Sequence, residues 1–204
     1  MNDTAAVSPD FSCLFGAASG QRGYFTSTQA LACGFTWSLL TYHAQRGKFT
    51  RVRRGLYRLR DYPSSSREEV VAAWLAVGKD KALVSHESAL DLLNLSDVIP
   101  RTIHLTVPRS KRYLPTPQGV TIHTTTRPLR PADVSFRDGI RLTSATRTIL
   151  DAAEAGTGPE QIELAVKQAI ARGLTTRTLL QQAAQERSQR VVGLIAGALD
   201  QATR

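Results

Sequence analysis

The chain has 204 residues, 42% apolar and 21% charged, with 26 Lys and Arg against 17 Asp and Glu for a formal net charge of +9. The apolar share supports a packed core and excludes a disordered chain, and the length allows two small domains. The positive excess favours an anionic partner, DNA or RNA first.

The opening "MNDTAAVSPDFSCLFGAASG" lacks the basic segment and long apolar run of a signal peptide. No stretch reaches the ~18 uninterrupted apolar residues of a membrane helix, so a cytoplasmic protein without membrane contact is expected. Residues 1 to 8 read as a frayed end. Cys13 and Cys33 have no CxxC spacing and no nearby His. They are expected as small buried apolar side chains rather than as metal ligands or a disulfide.

A first helix is expected from Pro9 to about Ala18, Pro favouring the first turn. Thr26 and Gln29 have the spacing of a capping box, which predicts a short helix from Ser27 to Cys33, with Gly34 at its left-handed end. Thr36 caps a third helix, Trp37 to Arg46, closed by Gly47. Two short helices joined by a Gly-containing turn are the pattern of a helix-turn-helix.

"KFTRVRRGLYRLRDYP" follows at once, residues 48 to 63, with its first acid at Asp61. A hairpin turning at Arg54-Gly55 would set Arg53 opposite Leu56, Val52 opposite Tyr57, Arg51 opposite Arg58 and Thr50 opposite Leu59. Side chains alternate along strands. One face would then gather Arg51, Arg53, Arg58 and Arg60, while Val52, Tyr57 and Leu59 hold the hairpin to its helices. Arg51 opposite Arg58 is a like-charge pair that an anion would relieve.

"DYPSSSREE" reads as a linker. Two domains are expected, a winged helix-turn-helix over residues 1–62 and an α+β domain over 63–204. In the second, a helix is expected from Glu68 to Val77, then a short strand, a helix capped by Ser85 and running to Leu93, and strands at 102–107, 120–125, 133–136 and 140–143. Ser144 starts a helix through Ala153. A helical tail closes the chain, with Pro159 opening a helix to Arg172, Thr175 capping the next, and a last helix over 191–202. Ile162, Ala165, Val166, Ala169 and Ile170 form an apolar stripe at helical spacing, read as core.

"GYFTSTQALACGFTWSLLTYHAQRGKFTRVRRGLYRLRDYP", then "SHESALDLLNL", "IHLTVPR" and "GIRLTSATRTILDAA", together resemble the AbiEi family, antitoxins of type IV toxin–antitoxin systems. The resemblance spans about residues 20 to 175. It implies an N-terminal winged helix-turn-helix and a C-terminal antitoxin domain. It also implies repression of the protein's own operon through its promoter, and opposition to a nucleotidyltransferase-like toxin without a stable complex. Relatives often carry Arg on the outward face of the reading helix, where this chain has only Arg46 at the end.

In the third helix Leu39, Leu40 and His43 share the side expected to face the core. Ser38, Thr41, Tyr42 and Gln45 then face outward, with Trp37 and Arg46 at the edges. Their hydroxyl and amide groups suit base edges or phosphates in a major groove. Lys48, Arg51, Arg53, Arg54, Arg58 and Arg60 are cations that reach phosphates, and about four such contacts predict a log–log salt slope near −3.6.

In the second domain, His86, Glu87 and His104 would be the site of a nucleic-acid-processing enzyme. No HxxxH, ExK or GxGxxG pattern accompanies them, so they are expected to hydrogen-bond within the fold, with no catalytic, metal or cofactor role. Arg147 and Asp151, four apart on one helix, are expected to form an ion contact worth a few tenths of a kcal/mol if exposed. Arg109, Lys111 and Arg112 form a second basic cluster, either an extension of the nucleic-acid footprint or a plain surface loop. A transcriptional regulator with a ligand-sensing second domain is the other reading of the whole chain. The chain lacks a dimerisation heptad, so a monomer is expected.

Overall fold

A computed structural model describes residues 8–126 and 128–202. The frayed end expected over residues 1 to 8 lies almost wholly outside them. The chain divides into two compact units, residues 1–78 and 79–204, and no helix among the described residues is long and apolar enough to cross a membrane.

The first unit begins with α1 (Phe11–Ser19). Its cap is Asp10 rather than the expected Pro9 turn, because the Asp10 carboxylate accepts from the backbone amides of Ser12 and Cys13. A short strand that the sequence reading missed, β1 (Tyr24–Thr26), leads into α2 (Ser27–Ala32). The predicted capping box is present in both directions: Gln29 N–H donates to Thr26 Oγ1, and Thr26 N–H donates to Gln29 Oε1. Next come α3 (Trp37–Gln45), capped by Thr36, and the hairpin of β2 (Phe49–Arg53) and β3 (Leu56–Leu59). The three strands form one sheet in the order β1-β3-β2.

Helices α1 to α3 close over one face of this sheet. Leu14, Ala18, Phe25, Ala30, Phe35, Leu40, Phe49 and Tyr57 make a single buried cluster. Within it Phe25 stacks on Tyr57 with ring centroids 5.7 Å apart and meets Phe49 edge-on at 5.0 Å. α4 (Glu68–Val77) packs on β1 and β3. The helix expected to open the second domain therefore groups with the first unit, since Val71, Ala72, Trp74 and Leu75 are buried there.

Cys13 and Cys33 form a disulfide, with Cα atoms 5.7 Å apart. The expectation of two independent thiols is corrected. The packing of α1 against α2 brings together positions 20 residues apart in sequence, and no local spacing announces such a contact.

The second unit holds a five-stranded mixed sheet in the order β6-β5-β4-β8-β7. Its strands are β4 (Leu83–Val84), β5 (Ile103–Pro108), β6 (Val120–Thr125), β7 (Val134–Arg137) and β8 (Ile140–Thr143). β5 runs parallel to β6, and β4 parallel to β8. α5 (His86–Leu93) packs on β5 and against α6 (Ala145–Ala155). The tail is α7 (Pro159–Ala171), α8 (Arg177–Ala184) and α9 (Gln189–Gln201). Ile162, Ala165, Val166 and Ala169 are fully buried and Ile170 is half-buried, so four of the five stripe positions are core.

Thr176, not Thr175, caps α8; Thr175 turns inward to the Thr146 hydroxyl at 2.6 Å. Several of the basic residues are used on helix ends. Arg172 donates to the carbonyls of Leu93 and Asn94 at the end of α5, Arg190 to those of Ala153 and Glu154 at the end of α6, and Arg177 to that of Leu199 in the last turn of α9. A guanidinium there satisfies orphan carbonyls and complements the helix dipole.

Candidate nucleic-acid interface

Helix α3 divides as its periodicity requires. Leu40 and His43 are buried, while Ser38, Thr41, Gln45 and Arg46 are exposed. Trp37 and Tyr42 are 58% and 48% exposed, large aromatic surfaces left to solvent. The Thr41 hydroxyl donates back to the Trp37 carbonyl at 3.0 Å, leaving its oxygen as an acceptor. The Arg46 guanidinium lies over the Tyr42 ring, 5.4 Å from its centroid. Under the helix, His43 Nδ1 is buried without a hydrogen-bond partner among the described residues. Burial, then the nearby Lys48 charge, hold its pKa below the usual imidazole value.

Gly47 joins α3 to the hairpin with φ of 72°, and a Cβ there would come within 2.6 Å of the Arg60 guanidinium. The positive φ is what favours glycine there, since the guanidinium is the movable end of an exposed side chain. The turn sets exposed Arg60 beside the start of β2, whose preceding residue Lys48 lies over the Phe11 ring at 5.4 Å. At the other end the wing turn is pinned to the first helical residue of α2, Ser27 N–H donating to the Gly55 carbonyl at 2.9 Å.

The hairpin register differs from the one expected. Phe49 pairs with Leu59, Thr50 with Arg58 and Arg51 with Tyr57. The ladder then skips Val52 before Arg53 pairs with Leu56. Opposed residues share a face, so Arg51 shares that of Tyr57, and Arg53 and Arg58 share that of Leu56. The expected single arginine face, and its Arg51–Arg58 pair, do not form.

The core is the reason. Phe49 and Tyr57 must both enter the cluster around Phe25, and the expected register would have put them on opposite faces. The bulge at Val52 reconciles that demand with a turn at Arg54-Gly55. Val52 is consequently 38% exposed and does not hold the wing to its helices.

Arg58 is the second correction. Its side chain is 13% exposed and donates to Glu68 Oε1 at 2.8 Å and to the Tyr62 carbonyl at 2.8 Å. It also lies over the Tyr24 ring. It ties the wing to α4 and presents no cation outward. Arg51, Arg54 and Arg60 are exposed, and Arg53 is half-buried.

The second unit has a separate polar centre. His104 pairs with Thr121 and Thr106 with His123 across the parallel β5–β6 pair, so all four point to one face. His86, at the start of α5, stacks on His123 with ring centroids 3.5 Å apart, and His104 Nδ1 lies 2.9 Å from His123 Nε2. Ser85 does not cap α5 with its side chain. Its hydroxyl instead accepts from Thr106 and lies 2.8 Å from His86 Nδ1. Burial, followed by the neighbouring His123 and His104, pushes the His86 pKa down to about 2. Burial also lowers those of His104 and His123.

The sequence reading placed His86 and His104 within the fold but missed His123. The signal was the recurrence of "TIH" at 102–104 and 121–123 in two strands of the same phase. A cavity of about 470 Å³ opens beside His86 and His123. In its wall Asp151, 4% exposed, accepts from Arg147 Nε at 2.7 Å and from Arg187 at 2.8 Å. The Arg147–Asp151 contact read from the sequence is thus a buried, three-residue network rather than a surface pair. Arg109, Lys111 and Arg112 are exposed, with Arg112 stacked on Tyr113.

Residues 15–60 match the family model of AbiEi antitoxin transcriptional regulators. The stretch runs from α1 through the hairpin, so the first unit carries an AbiEi-type regulator domain, as the resemblance implied. Among curated proteins none matches the chain. Among solved structures, the RV2827C protein from Mycobacterium tuberculosis is similar in fold, with a TM-score of 0.63 at 14% identity over 98% of this chain and 80% of that one.

Proposed function

We propose that the protein is a DNA-binding antitoxin that represses its own operon and opposes a nucleotidyltransferase-like toxin without forming a stable complex with it. In this reading it works as a cytoplasmic monomer and is not itself an enzyme. The observation that carries the DNA-binding half is the outward face of α3, polar and aromatic from Trp37 to Arg46, followed directly by the exposed cations Lys48, Arg51, Arg54 and Arg60. The half-exposed Trp37 and Tyr42 beside these cations support this reading.

In the proposed docking, α3 enters the major groove with Ser38, Thr41, Tyr42 and Gln45 toward base edges. Lys48, Arg51, Arg53, Arg54 and Arg60 grip phosphates or the adjacent minor groove. Arg58 is left out, since its charge is spent on Glu68. The AbiEi family match over residues 15–60 supports the regulatory role.

Mobility-shift titration of the purified chain against its own upstream region and against a scrambled fragment tests the first half. Equal affinity for both would remove autorepression. Co-expression with the product of the adjacent gene, scored for rescue of growth, tests the second; no rescue from an expressed toxin would remove the antitoxin role. A regulator with a ligand-sensing second unit is favoured by one observation, the cavity beside the imidazole cluster.

A further inference from the structure

We propose that His86, His104 and His123 form a binding site for one late first-row divalent cation of the Zn²⁺ type. One ring nitrogen from each histidine lies within 4.8 Å of the other two. Three imidazoles are a ligand set suited to Zn²⁺, Ni²⁺ or Cu²⁺ and poorly suited to Mg²⁺ or Ca²⁺, which take oxygen ligands. The inference stands whether or not the first unit binds DNA.

For one pair of rings the spacing approaches that of a coordinated ion. His104 Nδ1 and His123 Nε2 are 2.9 Å apart, against about 3.3 Å for two nitrogens on a tetrahedral Zn²⁺ with Zn–N near 2.05 Å. An ion between them would replace their mutual hydrogen bond, the donor ring's proton passing to its other nitrogen so that both imidazoles bind neutral. His86 and His123 are stacked, so both rings must turn about χ2 for their lone pairs to converge. That torsion is soft for histidine.

The surroundings orient the rings as ligand-supporting groups do. Ser85 Oγ lies 2.8 Å from His86 Nδ1, which leaves Nε2 to the ion. Thr102 Oγ1 lies 3.3 Å from His104 Nε2, which leaves Nδ1. The Thr106 hydroxyl fixes Ser85 in turn. His86 adopts φ of 52°, a left-handed conformation uncommon for a residue with a Cβ. The cavity beside His86 and His123 supplies access and room for a water as fourth ligand, the open arrangement of a three-histidine site.

The test uses the full, untagged chain with its disulfide intact, so that Cys13 and Cys33 offer no thiolate. After chelator treatment and desalting it is incubated with Zn²⁺ or Mg²⁺, desalted again, and its metal measured by mass spectrometry alongside its melting temperature. One retained equivalent of Zn²⁺, a raised melting temperature and no retained Mg²⁺ are expected. His123→Gln should weaken Zn²⁺ binding at least about 100-fold, and Ser85→Ala, which disturbs only a positioning residue, by about 10- to 100-fold. Well under one equivalent on the wild-type chain overturns the proposal, as does full retention in a folded His86→Gln, His123→Gln double variant. The wild-type stoichiometry decides the matter even if the variants do not fold.

Discussion

Arg58 of the wing and Glu68 of α4 are joined by a 2.8 Å ion pair in which the arginine side chain is 13% exposed. In sequence, Arg58 looks like its neighbours Arg51, Arg53 and Arg60. Among the described residues it alone of the four closes on a carboxylate, and it also donates to the carbonyls of Tyr62 and Pro63. Arg58→Ala should therefore act on stability, lowering that of the first unit by about 2 kcal/mol. Arg51→Ala with Arg54→Ala should leave the melting temperature unchanged and reduce the steepness of the log–log salt dependence of DNA binding by about 2. Thermal melts and salt-dependent binding titrations separate the two classes. An unshifted melt for Arg58→Ala would refute its structural assignment.

The exposed face of α3 predicts a loss of discrimination. Gln45→Ala removes no buried contact and should change stability by no more than about 0.5 kcal/mol, while Tyr42→Ala also removes an edge contact with the buried His43 ring and should cost about 1 kcal/mol. A residue that contacts a base edge should cost about 1–3 kcal/mol of specific binding on removal, with affinity for unrelated DNA nearly constant. Parallel titrations on promoter and scrambled fragments would show it. A uniform loss on both would mean that the helix contacts backbone only.

His43 predicts a pH dependence of the first unit. Its folded pKa is depressed by burial, so the unfolded chain takes up the proton first as pH falls. The stability linked to neutral His43 is complete above the unfolded value, about 6.5, and is lost as pH drops through the lowered folded one. His43→Leu should flatten this part of the curve. Urea unfolding of both proteins from pH 8 to pH 5 measures it, and identical slopes would exclude His43 as the titrating group.

Asp151 predicts the largest effect on the second unit. It is buried and accepts from both Arg147 and Arg187. Asp151→Ala leaves two largely buried guanidinium groups without their shared carboxylate, a change worth up to roughly 3–5 kcal/mol. A melting temperature near that of the wild type would show that the cavity solvates them.

Much of the fold was legible because its signals are local. The Thr26–Gln29 capping box, the Thr36 cap and Gly47 bound α2 and α3 within a residue or two. The period of Leu40 and His43 identified the buried side of α3, and hence its exposed one. The basic run from Lys48 to Arg60 located the wing for the same reason, since charge density is a property of consecutive residues.

What local signals could not settle was pairing between distant positions. The register of the wing depends on Phe49 and Tyr57 meeting Phe25 in one cluster, and that demand placed a bulge at Val52 and dispersed the arginines. The same holds for Cys13 with Cys33, Arg58 with Glu68, and Asp151 with Arg187. His86, His104 and His123 come from a helix start and two strands; the parallel pairing of β5 with β6 sets His104 and His123 on one face, and the packing of α5 on β5 brings His86 to them. Amino-acid order alone therefore settled most of the helices and strands, β1 excepted, and where charge accumulates. The three-dimensional packing decided which cations remain free and which imidazoles meet, because burial of an apolar core selects one register and one set of distant neighbours from many that local propensity allows.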